Sequence, residues 1–585
     1  MATADQAQAL GAARRLAPWP GARTFRPRLR WLVVGGPLLW SFVIGWPLLL
    51  LVVNSFNVAP VGTAAAYGFD NWLQAFNDPL TIKALWNSLS LALVRTGISL
   101  PCALGLTWLI TRTDMPGRSI IEVLTWLGVF SPLLPLALGW ILLLDVRFGL
   151  INQALSGIPF LHGARFNLYS FWGIAWVYLV SRDIGYKVVL MTPAFRRVGA
   201  AVEDAARTCG ASLFKAILRV TLPLLAPAIL LVTVIGLIFS FESFEVELLL
   251  GVPVRFYVYS TRIYELVGNQ PSKVGEATAL AFIFVVWLFA LTALYRGFLR
   301  NKSFATVTGS GYTHRPIKLG RWRWVAAGAC FVYFAIALAA PFVLLVMGSV
   351  MRLYGFFNVP NPFTTTHWQA LVHDPAFLTG VRNSLIISSC SALLVVAIYS
   401  AVAYAIVRHR ARALRIADVL VWSPWAMPGI VMSLGFLWLF LATPARVILY
   451  GSVLGIIVAF VIRGAPLNTQ LFKSSLLQLG PELEEASRVA GATWLRMYRK
   501  ILLRLLAPTA VTVGLITFLN SLYDISLPVL LFSPPSRPLS ILMLEYSFSG
   551  ARERGAAVGA LITCFVMVVL LVSRKLGYRL SRDQL

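Results

Sequence analysis

Long apolar stretches without a charged residue are the feature of this sequence that most restricts its fold. Four of them, each longer than 20 residues, cover 31–53, 324–351, 383–407 and 419–445. A helix needs roughly 20 apolar residues to cross a hydrocarbon layer of about 30 Å. Only 12% of the residues are charged, which is about half the share that is usual in soluble proteins. The sequence therefore predicts an all-α polytopic membrane protein.

The apolar runs and the polar loops between them predict about 12 transmembrane helices. We interpret the first as a retained span, because its apolar run is too long for the core of a signal peptide and no small-residue cleavage site follows it. The predicted spans are 31–53, 87–110, 120–144, 168–191, 222–248, 277–295, 323–347, 384–407, 418–441, 447–471, 505–530 and 556–573.

Basic residues are concentrated in alternate loops, which predicts the orientation of the chain in the membrane. The formal net charge is +27, and 34 of the 50 Lys and Arg residues fall in segments on the side of the N-terminus. Cytoplasmic loops carry such an excess, so both termini are predicted to be cytoplasmic. Topology thus explains the charge better than nucleic-acid binding does. The five cysteines have no paired spacing that would indicate a disulfide framework or a zinc site.

The two halves of the chain repeat one another. The matched pairs include Asn87 with Asn383, Ser88 with Ser384, Arg112 with Arg408, Gly139 with Gly435, and Arg182 with Arg463. All but the last pair are 296 residues apart, and the last is 281 apart. This pattern predicts two parallel repeats of six helices. The predicted parts are a cytoplasmic tail (1–30), a first repeat (31–299), a cytoplasmic linker (300–322) and a second repeat (323–585).

A polar loop after the fourth span of each half is the most similar part of the repeat. Between 199–227 and 480–508, 11 of 29 positions are identical. Apolar spans resemble one another through composition alone, but a polar loop does not. The duplicated loop is therefore predicted to carry function.

The residues of this loop predict a short helix, a glycine break and a second helix. In the second copy, Pro481 suits the first turn of a helix, and Glu484 and Glu485 favour the positive end of its dipole. Gly210 and Gly491 allow the backbone to turn where a side chain would be costly.

At these residues the loops resemble the EAA loops of type I ABC-importer permeases, in a form that fuses two such loops in one chain. The matching residues are Glu203, Asp204, Ala205, Ala206 and Gly210 in the loop 199–223, and Glu484, Glu485, Ala486, Ser487 and Gly491 in the loop 480–504. The chain departs from the pattern at Asp204, at Ser487, and at Arg504, where the first copy has Pro223. The resemblance implies the type I permease fold, and a coupling helix in each loop that seats on a separate ATPase subunit.

The same resemblance implies the partners and the location of the chain. Two copies of a cytoplasmic ABC ATPase and an extracytoplasmic solute-binding protein are expected, in a bacterial inner membrane. The chain has no GxxxxGK[S/T] phosphate-binding loop. We therefore expect a transport subunit without catalytic residues or a cofactor of its own, with ATP and magnesium bound by the partner.

Within this family the chain most resembles the ferric-iron importer permeases. The segments that carry this resemblance are 241–247, 251–253, 257–264 and 523–528. The resemblance implies ferric iron as the solute, and the related permeases for thiamine, aminoethylphosphonate, spermidine/putrescine or sulfate remain alternatives.

Four carboxylates are candidates for the lining of a solute pathway. They are Glu242, Glu245 and Glu247 near the end of the fifth span, and Asp524 in the second half. Carboxylates at membrane depth usually face a cavity or a partner charge. The spacing of Glu242 and Glu245 predicts one helical face, with Glu247 off it.

Two alternatives for these carboxylates stay open. Arg182, Lys187 and Arg463 are possible partner charges within the membrane, or the acids lie at the interface and contact the binding protein. The five histidines form no cluster, so no metal site is predicted in this chain.

A secondary transporter driven by an ion gradient is the alternative from another class. Its support is the spacing of Asp114, Gly117 and Arg118, which fits the D-x-x-G-R loop of major-facilitator proteins. That class gives no role to the duplicated loop after each fourth span.

Overall fold

The computed structural model describes residues 35–59, 64–158, 165–197, 203, 205–206, 208–300, 316–409, 411–444 and 446–582. The predicted tail (1–30) lies outside these residues, and so does the predicted linker (300–322) except for 300 and 316–322. Among the predicted site residues, Asp204 lies outside them.

Helices make up nearly all the regular structure of the described chain. Those of the first half are α1 (Gly36–Ser55), α2 (Asp70–Asn77), α3 (Pro79–Arg112), α4 (Arg118–Phe130), α5 (Leu133–Leu144), α6 (Leu150–Ser156), α7 (Phe171–Tyr178), α8 (Ile184–Arg197), α9 (Leu213–Ala216), α10 (Leu222–Phe241), α11 (Tyr259–Gly268) and α12 (Val274–Arg300).

The second half continues the same pattern of long and short helices. The helices of the second half are α13 (Trp322–Phe334), α14 (Ala340–Ser349), α15 (Thr366–Val372), α16 (Pro375–Arg408), α17 (Arg412–Leu420), α18 (Gly429–Ala442), α19 (Arg446–Leu449), α20 (Val453–Arg463), α21 (Ala465–Gln478), α22 (Glu482–Val489), α23 (Trp494–Met497), α24 (Leu503–Leu505), α25 (Ala507–Tyr523), α26 (Leu539–Phe548) and α27 (Arg552–Arg582). Turns of π-helix lie at Leu179–Asp183, Ile217–Thr221, Glu247–Gly251, Ala335–Ala339 and Tyr498–Leu502.

The apolar helices make this an all-helical polytopic membrane protein. Within the described ranges, seven helices are long and apolar enough to cross a membrane, and four pairs of helices with a short break pass the same test together. The predicted number of 12 spans is larger than this range of seven to eleven. The predicted fourth span (168–191) is largely helical but is not among the helices that pass this test, and it contains the charged residues Arg182, Asp183 and Lys187.

The third predicted span (120–144) is not one helix. It divides into α4 and α5, whose axes are bent by 101°. Pro132 at the break has no N–H to donate and disfavours a helical conformation in the residue before it. Ser131 is accordingly extended, with a ψ of 130°.

The chain packs as two compact units that do not follow the predicted repeats. The smaller unit takes the described residues up to Trp46 with Val395–Pro424 and Gly464–Val513, and the larger takes the rest. The loop 480–504 lies in the smaller unit, where Ala405, Leu414 and Ala417 form a buried cluster. The loop 199–223 lies in the larger unit.

Two glycines that match between the predicted repeats permit close packing within the larger unit. A Cβ atom added at Gly139 in α5 would lie 1.9 Å from the carbonyl oxygen of Pro341 in α14. A Cβ atom added at Gly435 in α18 would lie 3.2 Å from atoms of Pro47 in α1. Each predicted repeat therefore packs its third span against the first span of the other.

An asparagine and a serine near the start of α3 hold the chain where it enters α11. The Asn87 side-chain amide donates to the carbonyl oxygen of Tyr257 at 2.8 Å. The Ser88 hydroxyl accepts a hydrogen bond from the Tyr259 amide at 2.7 Å. Both side chains are buried, so these bonds fix the start of α11 against α3.

The matching residues of α16 hold the chain where it enters α26. The Asn383 side-chain amide donates to the carbonyl oxygen of Arg537 at 3.1 Å. The Ser384 hydroxyl accepts from the Leu539 amide at 2.7 Å. We call Asn87 with Ser88, and Asn383 with Ser384, the two Asn-Ser clamps.

An ion pair lies beside the first clamp. Arg262 in α11 contacts Asp78, which precedes α3, and also Glu265 at 2.5 Å. Burial raises the pKa of Asp78, but hydrogen bonds from the Leu80 amide, the Thr81 hydroxyl and Arg262 outweigh burial and leave this pKa below its ordinary value.

Candidate functional site

The second polar loop forms a helix that ends in a Schellman turn. In α22, the Ala492 amide donates to the carbonyl oxygen of Ser487 at 3.0 Å, and the Gly491 amide donates to that of Arg488 at 2.9 Å. Gly491 has a φ of +77°, a conformation that glycine adopts at little cost. The predicted helix and glycine break are therefore present in this copy.

The described residues of the first polar loop include the longer hydrogen bond of this turn. The Cys209 amide donates to the carbonyl oxygen of Ala205 at 3.1 Å, and the Ala211 amide donates to that of Ala206 at 3.0 Å. Gly210 has a φ of +87°. The bond from Ala211 to Ala206 matches that from Ala492 to Ser487, and these residues lie 281 positions apart in the sequence.

The predicted coupling residues divide between a buried and an exposed side of each loop. Glu484 and Ser487 are buried in the second loop, whereas Glu485, Ala486 and Gly491 are exposed. In α22 the buried positions three residues apart face the protein, and the exposed ones form the outward surface.

The first loop has the same division where it is described. Glu203 is buried, Ala206 is half-buried, and Ala205 and Gly210 are exposed. The second loop adds Val489, which is 90% exposed and which the sequence did not single out.

Glu484 is held by an arginine at the end of the second span of its repeat. The Nε atom of Arg408, the last residue of α16, lies 2.6 Å from Glu484 Oε1. The Tyr404 hydroxyl donates to Glu484 Oε2 at 2.9 Å, and Arg408 also donates to the carbonyl oxygen of Leu479 at 2.8 Å. The glutamate of the loop is thus paired and hydrogen-bonded in a buried place.

The first repeat has the corresponding pair. The Nε atom of Arg112, the last residue of α3, lies 3.5 Å from Glu203 Oε1, and both side chains are at most 3% exposed. The Thr221 hydroxyl donates to the same oxygen at 2.9 Å. The sequence matched Arg112 with Arg408 and Glu203 with Glu484 separately, but it did not show that each arginine pairs with a glutamate.

The fifth predicted span ends earlier than expected. α10 stops at Phe241, and a new helical turn begins only at Glu245. The prediction that Glu242 and Glu245 share one helical face is therefore wrong. The Ser243 hydroxyl donates to the carbonyl oxygen of Ser240 at 2.8 Å, and such a local bond competes with helix continuation.

Arg463 brings carboxylates from both predicted repeats together. Its Nη1 atom lies 2.5 Å from Asp524 Oδ2, and its Nη2 atom lies 3.7 Å from Glu242 Oε1. Glu242 also accepts a hydrogen bond from the Gly429 amide at 3.1 Å. The three charged side chains are 13% to 29% exposed, so solvent reaches part of each.

Glu245 and Arg182 interact electrostatically with each other, and Glu245 also with Asp524 and Arg463, without forming ion pairs of their own. Both are half-buried, and within the described ranges neither has an opposite charge within 4.0 Å. Together with Glu242, Asp524 and Arg463 they form what we call the charged cluster, with three carboxylates and two guanidinium groups.

Glu247 belongs to a separate buried network. It accepts from the Tyr178 hydroxyl at 2.6 Å, the Ser243 hydroxyl oxygen lies 2.5 Å from its Oε1 atom, and Arg95 Nη1 lies 3.8 Å from that atom. Arg95 also pairs with Asp183 at 2.8 Å. Since Glu247 is fully buried, it does not line a water-filled path in this conformation.

The predicted basic partners take different roles. Arg463 neutralises carboxylates as proposed, whereas Lys187 donates to the Tyr186 hydroxyl at 2.7 Å and, more weakly, to the Asp183 carbonyl oxygen at 3.4 Å. The sequence did not single out Arg95, because a lone arginine within an apolar run has no visible partner in the sequence. Among the described residues, no group of three or more His, Cys, Asp or Glu side chains is arranged to hold a metal ion.

Comparison with known proteins shows which family the chain resembles. Residues 393–583 match the family described as the binding-protein-dependent transport system inner membrane component. The probable ABC transporter permease protein y4fN of Sinorhizobium fredii is 27% identical over 67% of this chain and 70% of its own length. These matches support an ABC transporter permease. Permeases of this family are multi-pass inner-membrane subunits of binding-protein-dependent importers, and such subunits lack ATPase activity and need no cofactor.

Two further relatives of this chain have names that refer to ferric transport. The ferric transport system permease protein FbpB of Actinobacillus pleuropneumoniae is 22% identical over 91% of this chain and 76% of its own. The Fe(3+)-transport system permease protein FbpB 2 of Haemophilus influenzae is 21% identical over 71% and 78%. Among solved structures, a bacterial alginate ABC transporter in complex with a periplasmic protein matches this chain at 23% identity and a TM-score of 0.38. The match covers 50% of this chain and 95% of the transporter chain.

Proposed function

We propose that this permease forms the path of an ATP-driven importer in which both polar loops, 199–223 and 480–504, dock on two copies of a cytoplasmic ABC ATPase. The observation that carries the proposal is the duplicated loop geometry, with the same turn and the same buried Arg–Glu pair in each predicted repeat. Two equivalent docking elements suit a pair of identical partners. An extracytoplasmic solute-binding protein delivers the solute on the opposite side.

The orientation that this arrangement requires agrees with the charge distribution. The loops that hold 34 of the 50 basic residues include both docking loops, and such loops stay in the cytoplasm. The proposed topology therefore has both termini in the cytoplasm and six spans in each of two parallel repeats.

Ferric iron is the proposed solute. Two relatives that align with most of this chain are named for ferric transport, and the charged cluster carries one more carboxylate than guanidinium group. Glu242, Glu245 and Asp524 are its proposed pathway carboxylates, since they are partly exposed and meet between segments of both repeats. Iron is here the cargo, and it passes without a resident metal site in the described residues.

The loop that favoured a gradient-driven transporter has a structural explanation in this fold. Asp114 Oδ1 accepts a hydrogen bond from the Leu319 amide at 2.9 Å, and Arg323 Nη1 lies 3.7 Å from its carboxylate. Gly117 precedes α4 with a φ of +76°. These residues therefore shape a turn and bind the chain that enters the second half.

Purification of the tagged permease from its own membranes tests the partners. The expected result is a copurifying protein with a GxxxxGK[S/T] motif that hydrolyses ATP, at two copies per permease. Uptake of ⁵⁵Fe³⁺ into proteoliposomes that contain this complex and its binding protein tests the solute, with thiamine, aminoethylphosphonate, spermidine, putrescine and sulfate as competitors. Uptake that follows an ion gradient and ignores ATP would overturn the importer, and competition by one of the other solutes would overturn ferric iron.

A further inference from the structure

The second span of each repeat is attached at both of its ends to parts that the proposed function uses. α3 runs from Pro79 to Arg112, and its last residue pairs with Glu203 of the first docking loop. Near its start, Asn87 and Ser88 clamp the chain that enters α11. From Ser88 to Arg112 the helix covers about 36 Å, at about 1.5 Å per residue.

α16 has the same attachments in the second repeat. It runs from Pro375 to Arg408, and its last residue pairs with Glu484 of the second docking loop. Near its start, Asn383 and Ser384 clamp the chain that enters α26. The attachments thus recur at matching positions of two helices of 34 residues each.

The clamped helices in turn contact the segments that hold the charged cluster. Ser260, the second residue of α11, donates from its hydroxyl to the carbonyl oxygen of Ser243, next to Glu242. Ser540, the second residue of α26, donates to the carbonyl oxygen of Asp524 at 3.0 Å. In each repeat, the clamp therefore lies one hydrogen bond away from a segment with a proposed pathway carboxylate.

We propose that α3 and α16 transmit the movement of the docking loops to the charged cluster, with the Arg–Glu pair as the joint at one end and the Asn-Ser clamp as the joint at the other. Glu203, Glu484 and their arginines are positioning residues in this mechanism, and they do not touch the solute. The proposal rests on the proposed function, because it requires an ATPase that moves the loops.

The chemistry of both joints suits this role. A buried carboxylate paired with a guanidinium group cannot separate without exposing an unpaired charge, which is costly, so loop and helix move together. The clamps bind backbone groups. A movement of the clamp therefore moves the main chain of the held segment and cannot be absorbed by a change of side-chain rotamer there. The joint at Glu484 is the tighter one, at 2.6 Å against 3.5 Å for Glu203, so the second repeat is predicted to transmit more of the movement.

The test compares single variants in the complex of permease, ATPase and binding protein in proteoliposomes. Three quantities are measured: the ATPase that copurifies, ATP hydrolysis with and without binding protein, and uptake of ⁵⁵Fe³⁺ or of whichever solute the wild type takes up. Glu484→Gln is expected to keep the ATPase bound and to lower uptake per ATP hydrolysed by about tenfold, as loss of a charged hydrogen-bonded pair allows. Glu203→Gln is expected to have a smaller effect.

Charge exchange and a matched control separate transmission from a merely structural role. The double variant Arg408→Glu with Glu484→Arg is expected to restore coupling to within about threefold of wild type, because it keeps an opposite-charge pair. Asp418→Asn breaks a 2.6 Å ion pair with Lys473 in the same unit and is expected to leave coupling unchanged. If Glu484→Gln destabilises the permease, Tyr404→Phe removes one hydrogen bond to Glu484 and is expected to lower coupling more mildly.

Variants at the two ends of α16 give the most direct test. Ser384→Ala is expected to lower uptake per ATP hydrolysed, and its combination with Glu484→Gln is expected to be no worse than the stronger single variant. Distant sites that act independently have additive effects on free energy, so additive losses would overturn the proposal. Wild-type coupling in Glu484→Gln would also overturn the proposal. Loss of the bound ATPase from Glu484→Gln would overturn it as well, because the Arg–Glu pair would then serve docking and not transmission. A wild-type permease that binds no ATPase would instead refute the proposed function.

Discussion

Gly491 offers the sharpest test of the docking loop, because a substitution there costs free energy through backbone strain alone. Its φ of +77° lies in the left-handed region, and an added Cβ atom would meet no other atom of the chain within 4 Å. Substitution by valine therefore adds backbone strain and no internal clash. The left-handed conformation costs a residue with a Cβ atom about 1–2 kcal/mol, and a β-branched residue pays at least the upper value.

That strain has a measurable consequence for the loop. A cost of about 2 kcal/mol lowers the ratio of the Schellman turn to other conformations roughly 30-fold. Gly491→Val is accordingly expected to abolish uptake while the permease remains inserted in the membrane, with less copurified ATPase as the cause. Gly210→Val, at a φ of +87°, is expected to act in the same direction.

A series at position 491 makes the reasoning refutable. Asparagine enters the left-handed region more readily than other residues with a side chain, so Gly491→Asn is expected to retain most uptake, and Gly491→Ala to fall between Asn and Val. Copurified ATPase and uptake are measured for all three at equal expression. Wild-type uptake in Gly491→Val would refute the reasoning. If all three variants fail equally, contact with the ATPase and not backbone strain controls this position.

Three further predictions concern topology, pathway and pH. In a cysteine-free background, Lys318→Cys is expected to react with an impermeant maleimide only from the cytoplasm and Asn361→Cys only from outside; the reverse would overturn the proposed orientation. Removal of both charges by Glu242→Gln and Glu245→Gln is expected to reduce uptake with the ATPase still bound, and unchanged uptake would remove these acids from the pathway. The pKa of Asp78 is lowered by folding. The Asp78 carboxylate therefore stabilises the fold near neutral pH, and this contribution is lost as the pH falls through the pKa that Asp78 has in the folded state. Thermal unfolding of Asp78→Asn is therefore expected to show a lower midpoint than wild type at pH 7 and a smaller loss on acidification.

The sequence predicted the helical class and the duplicated loop well, because both leave local patterns. Uncharged runs identify spans, and the glycine at 210 and 491 marks a turn that the structure contains. The break after Phe241 was missed because the sequence shows only two serines there, among mostly apolar residues, and not the local bond that Ser243 makes to Ser240.

Contacts between distant positions were beyond the reach of sequence patterns. Arg408 and Glu484 lie 76 residues apart, and nothing near either one indicates the other. The repeat reduced the number of candidate contact residues, since the residues that match between the two halves include the members of both Arg–Glu pairs. It did not show which matched residues meet, because that depends on how the spans pack.

The Asn-Ser clamps bear on how such a permease can change over evolutionary time. They recognise backbone groups, and the segments they hold differ freely in side chains: Tyr257 and Tyr259 in one half, Arg537 and Leu539 in the other. Substitutions in the held segments therefore leave the attachment intact. After a duplication, the residues beside the two clamps can therefore diverge, as Ser243 in one half and Asp524 in the other have done. The Asn and Ser of each clamp meanwhile hold the same backbone segments in place.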